Sequence, residues 1–312
     1  MASQPQPQPQ PPTLTVLDGA PAAMTLTVLG ASASCPDAGD ACSGYLVRQG
    51  ETALLLDCGS GTIGTLRKEI GFGQIAAILI SHFHPDHFLD LIPMRYGLRY
   101  EVRGDGDTSP VRPRLLVPPG GIAYLAGLGV ALRQNARFFA DAFRLEEYDP
   151  AAALPLDIDG ITVAFQRTTH DEPTWAMALT GREGARLVYT ADTKPSPEVE
   201  RFAAGADLLL CEATYPAGAG SRTDGSGHHL SSLQAGELAR RAGVRALMLT
   251  HFWPGIPREH FLDDAERAFE APAILARPGL TVPVVPAAPA GIAATTQRSP
   301  VMHAGSSSRR EA

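Results

Sequence analysis

Short apolar runs alternate with more polar segments along most of the chain. Many of these runs are rich in Val, Ile, Leu and Thr and are bounded by Gly, Pro, Asp or Ser, which is typical of β-strands. We expect strands in the following segments: LTVLG, GYLVRQ, TALLLD, AAILIS, RLLVP, ITVAFQ, WAMAL, ARLVYTAD, DLLLCE and RALMLTH.

Helical segments separate some of these strands. In SSLQAGELARRAG and REHFLDDAERAFEA the apolar residues recur at spacings of three and four, which predicts amphipathic helices. Ser196 is a predicted N-cap with Pro197 at the first helical position, and Ser231 or Ser232 caps the helix that runs to Gly243. Strands that alternate with helices favour a layered α/β or α+β architecture in which helices cover the sheets.

The two ends of the chain differ in composition from the middle. Residues 1–12 are mostly Pro and Gln, and the segment from about Pro286 onward is rich in Ala, Pro, Ser and Gly. Such segments bury too little apolar surface to offset the entropy lost on ordering. We therefore predict one catalytic domain over residues 24–285, with disordered tails at residues 1–23 and 286–312.

The bulk composition narrows the class of protein. The net charge of −7 over 312 residues argues against a broad nucleic-acid footprint, because such binding depends on many Lys and Arg contacts to phosphates. No signal peptide and no run of roughly 18 apolar residues is present, so we expect a cytoplasmic protein that does not enter a membrane. The four cysteines fit spare thiols in a reducing compartment, although Cys35 and Cys42 could also bridge or bind metal.

The stretch at residues 80–91, ISHFHPDHFLDL, concentrates titratable residues. Four side chains of metal-binding type stand within six positions, namely His82, His84, Asp86 and His87. On an extended chain the two histidines at alternate positions point to the same side, and Pro85 then turns the chain so that the next two residues can face a second ion. Because neutral imidazole and carboxylate are ligands that zinc takes, the stretch predicts a metal site and not a chance group of histidines.

Further polar residues follow the ends of later predicted strands. His170 comes after ITVAFQ, Asp192 after RLVYTA, Glu212 after DLLLC and His251 after RALMLT. The ends of neighbouring strands meet at one edge of a sheet, where several strands can supply side chains to one cleft. We therefore expect these residues to join the histidine stretch in a shared site.

The combined pattern resembles the metallo-β-lactamase superfamily over about residues 25–285. The resemblance implies an αββα four-layer sandwich whose paired sheets hold two divalent ions at one edge, with zinc as the first choice and manganese or iron as alternatives. It implies that one ion is held by His82, His84 and His170, the other by Asp86, His87 and His251, and that Asp192 bridges both. It also implies that Asp57, in TALLLDCGSG, is a structural support for the histidine loop and not a ligand.

Two features of this implied site bear on its chemistry. Asp192 stands where the β-lactamase branch commonly has a cysteine, which disfavours antibiotic hydrolysis and favours a two-metal hydrolase. Two divalent ions, two carboxylates and a bridging hydroxide leave a charge of about +1, which suits an anion whose transition state gains negative charge. Water between the ions is deprotonated near neutral pH and can attack phosphorus, with Asp86 steering it.

The stretches LLLCEATYP and GHHLSSLQAGELARRAGVRALMLTHFWP resemble the phosphodiesterase branch that includes tRNase Z. The resemblance implies that Glu212, Ala213 and Thr214 lie near the scissile phosphate together with His229. It also implies that Glu212 orients His229, which stabilises the phosphate or protonates the leaving oxygen. A histidine of near-neutral pKa suits this general-acid role. The alternative is that Glu212 and His229 only satisfy each other as a buried pair. His228 is not expected to take part.

The features of a tRNA-processing enzyme are incomplete. tRNase Z normally carries a basic arm that grips tRNA, but here the candidate RGDGDTSPVRPR mixes arginines with acidic residues and indicates a surface loop. Its charged residues are Arg103, Asp105, Asp107, Arg112 and Arg114. The segment LTHFWPGIPREHFLDDAERAFEAP instead resembles bacterial metallo-β-lactamase-fold cyclic-nucleotide phosphodiesterases.

The environments of three residues of that segment, whether pocket, core or surface, are considered separately. Trp253 and Phe252 either wall the pocket and stack a nucleobase or belong to the core, and the sequence leaves both interpretations open. His260 lies in an amphipathic pattern and is expected at the surface. Relatives of this fold commonly dimerise, so the resemblance is compatible with a homodimer.

The function predicted from these patterns is a binuclear metal-dependent phosphodiesterase that hydrolyses a small cyclic nucleotide such as 3′,5′-cyclic AMP. The second hypothesis is a tRNase Z-like endoribonuclease that processes tRNA 3′ ends, and the third is a lactone or thioester hydrolase on the same scaffold. A non-enzymatic metal-holding scaffold is a fourth reading, which the presence of all seven ligand positions disfavours.

Overall fold

The structure is a computed structural model that describes residues 23–100, 111–218 and 228–287. The disordered tails predicted for residues 1–23 and 286–312 lie almost wholly outside the described residues. Within the described ranges, no helix has the length and apolar character needed to cross a membrane.

The apolar runs form fourteen strands in the described part of the chain, and each run predicted as a strand contains one of them. Their bounds are β1 (Met24–Gly30), β2 (Gly44–Gln49), β3 (Thr52–Leu56), β4 (Ala77–Leu79), β5 (Arg114–Val117), β6 (Arg144–Glu147), β7 (Leu156–Ile158), β8 (Ile161–Arg167), β9 (Trp175–Thr180), β10 (Arg186–Tyr189), β11 (Leu208–Glu212), β12 (Leu247–Thr250), β13 (Ala273–Leu275) and β14 (Thr281–Val284).

The strands pair into two seven-stranded sheets. The first has the order β14-β1-β2-β3-β4-β5-β6 and the second the order β13-β12-β11-β10-β9-β8-β7. Strands β3 to β6 are parallel neighbours in the first sheet, and strands β10 to β13 are parallel neighbours in the second. Because parallel strands end at the same edge of a sheet, the residues that follow β10, β11 and β12 emerge side by side.

Seven helices of the described residues cover the sheets. Their bounds are α1 (Thr62–Glu69), α2 (Pro85–Phe88), α3 (Leu91–Tyr100), α4 (Gly121–Ala131), α5 (Pro197–Ala203), α6 (Ser232–Ala242) and α7 (Glu259–Phe269). The predicted caps are confirmed: Ser196 accepts from the backbone N–H of Val199, Ser231 caps α6, and α6 ends at Gly243 in the left-handed conformation with φ 62°.

Side chains from the two faces of the first sheet enter different cores. In β2 and β3, Leu46 and Leu55 pack with Leu66 of α1 and Met94 of α3. Their neighbours Val47 and Leu54, on the opposite face, pack in a core shared with the second sheet and with α5, α6 and α7. Both faces of the sheet are therefore covered, and the predicted αββα four-layer sandwich is confirmed.

The strands that sequence patterns missed are β6, β7, β13 and β14, which are the four edge strands of the two sheets. Edge strands bury less apolar surface, so their hydrophobic pattern is weaker, as in RLEE of β6. Helices α1, α3 and α4 were missed too; α4, GIAYLAGLGVA, is apolar on nearly every side and shows no amphipathic spacing.

One predicted surface loop is wrong in part. Arg114 begins β5, and its guanidinium pairs with the Glu146 carboxylate of neighbouring β6 at 2.7 Å (Nη2 to Oε2). Arg112 donates to the carbonyl of Ala140 at 2.6 Å. The remaining charged residues of that stretch, Arg103, Asp105 and Asp107, lie outside the described residues.

The close packing of α6 on α7 can be tested with two glycines. A Cβ on Gly236 of α6 would lie 2.4 Å from the carbonyl oxygen of Ala265 in α7, whereas a Cβ on Gly127 of α4 would meet nothing within 4 Å. We expect Gly236→Ala to lower the free energy of unfolding by about 1–3 kcal/mol, because overpacking separates the helices. Gly127→Ala, the matched control, should raise it by about 0.5–1 kcal/mol because alanine favours helix. Urea denaturation measures both, and equal effects would contradict the packing.

Candidate metal centre

The histidine stretch adopts the geometry needed to present several side chains to one cavity. His84 is the N-cap of α2, with an extended backbone of φ −66° and ψ 140°, and Pro85 is the first residue of that helix. The turn predicted at Pro85 is therefore made as the start of a helix. His82 and His84 precede the helix and Asp86 and His87 lie in its first turn, so the backbone changes direction between the two pairs.

A first group of donor atoms forms around the histidines that precede α2. One donor atom from each of His82, His84, His170 and Asp192 lies within 4.8 Å of the others. His84 Nδ1 is 3.2 Å from His170 Nε2, and His82 Nε2 is 3.6 Å from the Asp192 carboxylate. These four side chains could hold one ion.

A second group forms around the first turn of α2. Donor atoms of Asp86, His87 and His251 lie within 4.8 Å of one another. His251 Nε2 is 3.2 Å from Asp86 Oδ2 and 3.3 Å from His87 Nε2. All three side chains are buried, and together they could hold a second ion.

Asp192 lies between the two groups. Its Oδ1 is 3.3 Å from His87 Nε2 and 3.5 Å from His251 Nε2, while its Oδ2 is 3.6 Å from His82 Nε2 and 3.8 Å from His170 Nε2. One carboxylate oxygen thus faces each group. This is the arrangement that a bridging carboxylate requires.

Three residues at the strand ends beside the site have left-handed backbones, although none is glycine. They are Asp57 (φ 55°), Ala191 (φ 50°) and His251 (φ 58°). Such conformations are costly for residues with a Cβ and cluster at functional sites, where the surroundings hold them in place. At Ala191 and His251 the irregular backbone redirects the chain just where Asp192 and His251 enter the cavity.

Asp57 supports the site without facing the ion positions. Its carboxylate accepts hydrogen bonds from the Ser81 backbone (2.7 Å), the Ser81 hydroxyl (2.8 Å) and the Tyr189 hydroxyl (2.8 Å). It also lies 2.8 Å from His87 Nδ1. The supporting position that the resemblance implied for Asp57 agrees with this geometry, whereas nothing in the sequence indicated Tyr189.

Three other histidines of the donor groups also have partners for their outward nitrogens. His251 Nδ1 is 2.9 Å from the Thr214 hydroxyl, His170 Nδ1 is 3.0 Å from the His228 carbonyl, and His82 Nδ1 is 3.0 Å from the Ser81 hydroxyl. Acceptors at Nδ1 favour the tautomer whose Nε2 carries the lone pair. Nε2 of these rings then points into the cavity ready to bind a cation.

The donor set fits divalent cations. His82 Nε2 and Asp192 Oδ1 are buried and have no hydrogen-bond partner in the described part of the chain, although buried polar atoms normally have one. Burial by itself lowers the pKa of His87, yet the carboxylates of Asp192, Asp86 and Asp57 outweigh burial and raise that pKa well above its ordinary value. The cavity is therefore rich in negative charge, and imidazole with carboxylate is a zinc-type donor set.

Glu212 and His229 form the predicted pair at the margin of the same cavity. His229 Nδ1 is 3.2 Å from Glu212 Oε2, and the buried carboxylate also accepts from the backbone N–H groups of Thr193 and Leu230. Burial favours neutral His229, but the charge and hydrogen bond of Glu212 outweigh it and raise the pKa of His229 to about 9. This pKa is higher than the near-neutral pKa expected from sequence.

Contacts with the metal-ligand residues place His229 in the site. Its Nδ1 is 3.9 Å from Asp192 Oδ2, and its ring centroid is 5.2 Å from that of His251. His229, Asp192 and His251 also form a group of donor atoms within 4.8 Å. His229 therefore lies beside residues of the donor groups as well as beside Glu212.

Two further polar residues belong to the site, of which the resemblance implied Thr214 whereas sequence patterns missed Asp171. Thr214 donates to Glu212 Oε2 at 2.7 Å and accepts from His251 Nδ1, so one hydroxyl joins the His229 support to a metal-ligand histidine. The half-exposed Asp171 places Oδ1 3.1 Å from His170 Nε2. The sequence signal for Asp171 was its position directly after a predicted ligand.

The structure separates the two aromatic residues that sequence left undecided. Phe252 is 2% exposed and packs edge-on against Phe261 in the core, whereas Trp253 is 40% exposed. His260 is exposed, as predicted. All four cysteines are free thiols, and among them Cys35 alone is exposed.

Comparisons with known proteins agree with this fold. The family described as Beta-lactamase superfamily domain matches residues 52–252. An uncharacterized protein of Mycobacterium leprae is 31% identical over 79% of this chain and 84% of its own length. The ribonuclease Z of Mycobacterium bovis is 28% identical over 75% of this chain and 87% of its own length.

A solved structure extends the comparison. The metallo-β-lactamase fold protein YhfI of Bacillus subtilis, which carries the name probable metallo-hydrolase, superposes with a TM-score of 0.72 at 26% identity. The superposition covers 83% of this chain and 99% of that protein. The resemblance that the SHFHPDH stretch and later strand ends implied is thus confirmed.

The bridging position of Asp192 predicts a strong effect on metal binding. Asp192→Asn removes the charge shared by both groups, so the loss of zinc affinity should exceed the roughly 10- to 100-fold cost of losing a supporting partner. Chelator competition measures the affinity, and Asp263→Asn, at an exposed position of α7, is the matched control. Unchanged zinc binding by Asp192→Asn would contradict the bridging geometry.

The hydroxyl of Thr214 should also matter for metal binding. Thr214→Val keeps the shape of the side chain but removes the acceptor for His251 Nδ1 and the donor to Glu212. We expect zinc affinity to fall roughly 10- to 100-fold. Thr214→Ser retains the hydroxyl and should stay close to the parent in the same titration; equal losses in both variants would show that packing, not hydrogen bonding, is responsible.

Proposed function

Because the chain belongs to the beta-lactamase superfamily and is a metal-dependent hydrolase, we propose that it is a binuclear phosphodiesterase. Its proposed substrate is a small cyclic nucleotide such as 3′,5′-cyclic AMP. The observation that carries the proposal is the position of His229, whose Nδ1 lies 3.2 Å from Glu212 Oε2 at the margin of the two donor groups that share Asp192.

We propose that the two groups hold two divalent ions, zinc in the first place and manganese or iron as alternatives. The proposed ligands are His82, His84 and His170 for one ion, Asp86, His87 and His251 for the other, and Asp192 for both. When bound, such ions supply positive charge to a phosphoryl group and lower the pKa of a bound water towards neutrality.

The chain's own residues supply the rest of the chemistry. His229 gives its proton to the departing 3′ oxygen, and Glu212 keeps the imidazole oriented and charged until then. Asp86 Oδ2 accepts a hydrogen bond from the Ser34 backbone N–H at 2.6 Å and lies 3.2 Å from His251 Nε2. These contacts hold the Asp86 carboxylate in the second group, where it orients the attacking water. Protonation of the leaving oxygen matters because an alkoxide is a poor leaving group.

A second candidate is the processing of precursor tRNA at its 3′ end. It is favoured by the similarity to a protein named ribonuclease Z. Arg112 and Arg114, from the stretch considered for a tRNA-gripping arm, instead bind Ala140 and Glu146 of this chain. The overall charge of −7 further favours a small substrate over a polyanion.

We propose that the protein works in the cytoplasm. Its four cysteines are all free, although Cys35 is exposed to solvent. Free exposed thiols persist in the reducing environment of that compartment.

A substrate panel tests the function. Zinc- or manganese-loaded protein should convert cyclic AMP to AMP, and this activity should exceed its cleavage of a precursor tRNA with a 3′ trailer or of lactones and thioesters. Liquid chromatography of the products measures each reaction. Absence of AMP together with cleavage of the tRNA trailer would reject the first candidate in favour of the second.

The role of His229 has a separate test. His229→Gln should lower kcat for cyclic AMP about 10²- to 10⁴-fold, because a neutral amide cannot protonate the leaving oxygen. Metal content should remain that of the parent, as shown by elemental analysis. His260→Gln, an exposed histidine of α7, is the matched control and should keep full activity. Equal kcat in His229→Gln and the parent would contradict the general-acid role.

A further inference from the structure

A stacked pair of aromatic rings, one exposed and one partly buried, lies on chain segments next to residues of the donor groups. The rings of Trp253 and Tyr215 stack with centroids 5.5 Å apart and an angle of 30° between their planes. Trp253 is 40% exposed, although its neighbour Phe252 is buried in the core. A large ring held at the surface by a stacked partner presents an apolar face to solvent, where a planar ligand can lie against it.

Backbone contacts fix this pair close to His229, the proposed proton donor. Trp253 follows His251 by two residues, and its N–H donates to the Thr214 carbonyl at 3.0 Å. Tyr215 forms a parallel bridge with Ser231, two residues after His229. The aromatic pair is therefore built on the two chain segments that carry His229 and His251 into the site.

A second exposed ring lies by other ligands. Tyr124 of α4, 46% exposed, stacks on Phe83 with centroids 4.4 Å apart, and Phe83 stands between His82 and His84. An exposed ring thus lies close to each donor group, Tyr124 by way of Phe83 and Trp253 two residues after His251. His229, the proposed proton donor, decides between the two exposed rings, because the Tyr215–Ser231 bridge connects its segment to the Trp253–Tyr215 pair.

We infer that the Trp253–Tyr215 pair binds the nucleobase of the substrate, a conclusion that rests on the proposed function. If His229 protonates the departing 3′ oxygen, the ribose that carries this oxygen lies beside His229. The base is attached to the same ribose and extends to the same side, onto Trp253 and away from Tyr124. Stacking accepts any base because every base has a π-face, so the pair favours nucleotides over base-free diesters without selecting one base strictly.

Paired substrates test the base contact. Cyclic AMP and the same cyclic sugar diester with hydrogen in place of the base are compared in the metal-loaded parent, Trp253→Ala and Tyr124→Ala. Trp253→Ala should lower kcat/KM for cyclic AMP by about 10-fold or more, mainly through KM, and leave the base-free diester unchanged. Tyr124→Ala should leave the ratio between the two substrates at the parental value. Equal loss on both substrates in Trp253→Ala, or no loss, would overturn the inference.

If neither diester is hydrolysed, the proposed function is rejected. A binding measurement then still tests whether a base lies on Trp253. The chain has two tryptophans, and Trp175 is buried, so Trp175→Phe leaves Trp253 as the single indole reporter. In the zinc-loaded variant, AMP should quench the fluorescence by stacking and ribose 5-phosphate should not. Quenching by both compounds alike, or by neither, would show that no base lies on Trp253.

Discussion

The Asp192 carboxylate is the contact on which the rest of the site depends. Its two oxygens face different histidine groups, with His87 and His251 on one side and His82 and His170 on the other. Buried carboxylates and inward-facing imidazole nitrogens without partners are costly unless cations compensate them. Metal binding and the stability of this corner of the fold are therefore linked, because the ligands come from both sheets.

A layer of buried hydrogen bonds holds those ligands at their angles. Asp57, which follows a strand of the first sheet, takes a hydrogen bond from Tyr189 of the second, so one carboxylate ties the sheets together beneath the ion positions. Glu212 has a comparable double role, since it holds His229 directly and His251 through the Thr214 hydroxyl. The proposed proton donor and a proposed metal ligand thus depend on one buried carboxylate.

The sequence predicted which residues meet in the two donor groups because their pattern is local: four of them lie within six positions, and the others come within three residues of the end of an apolar strand. It did not predict Tyr189, nor that the Thr214 hydroxyl joins Glu212 to His251, because these contacts arise only when separate strands are brought together. It also missed Asp171, although this residue directly follows His170. The edge strands were missed because they bury little apolar surface. The sequence does not distinguish the environments of the adjacent residues Phe252 and Trp253. In the structure the chain has a left-handed backbone at His251, after which Phe252 enters the core and Trp253 is exposed.

Anomalous X-ray scattering at the zinc edge, on crystals of the zinc-loaded protein, tests the two-ion geometry most directly. The account predicts two peaks, one on each side of the Asp192 carboxylate, each at about 2.0–2.2 Å from the nitrogen and oxygen ligands of its group. A single peak that engages only one group, or zinc bound elsewhere while Asp192 contacts the histidines directly, would contradict it.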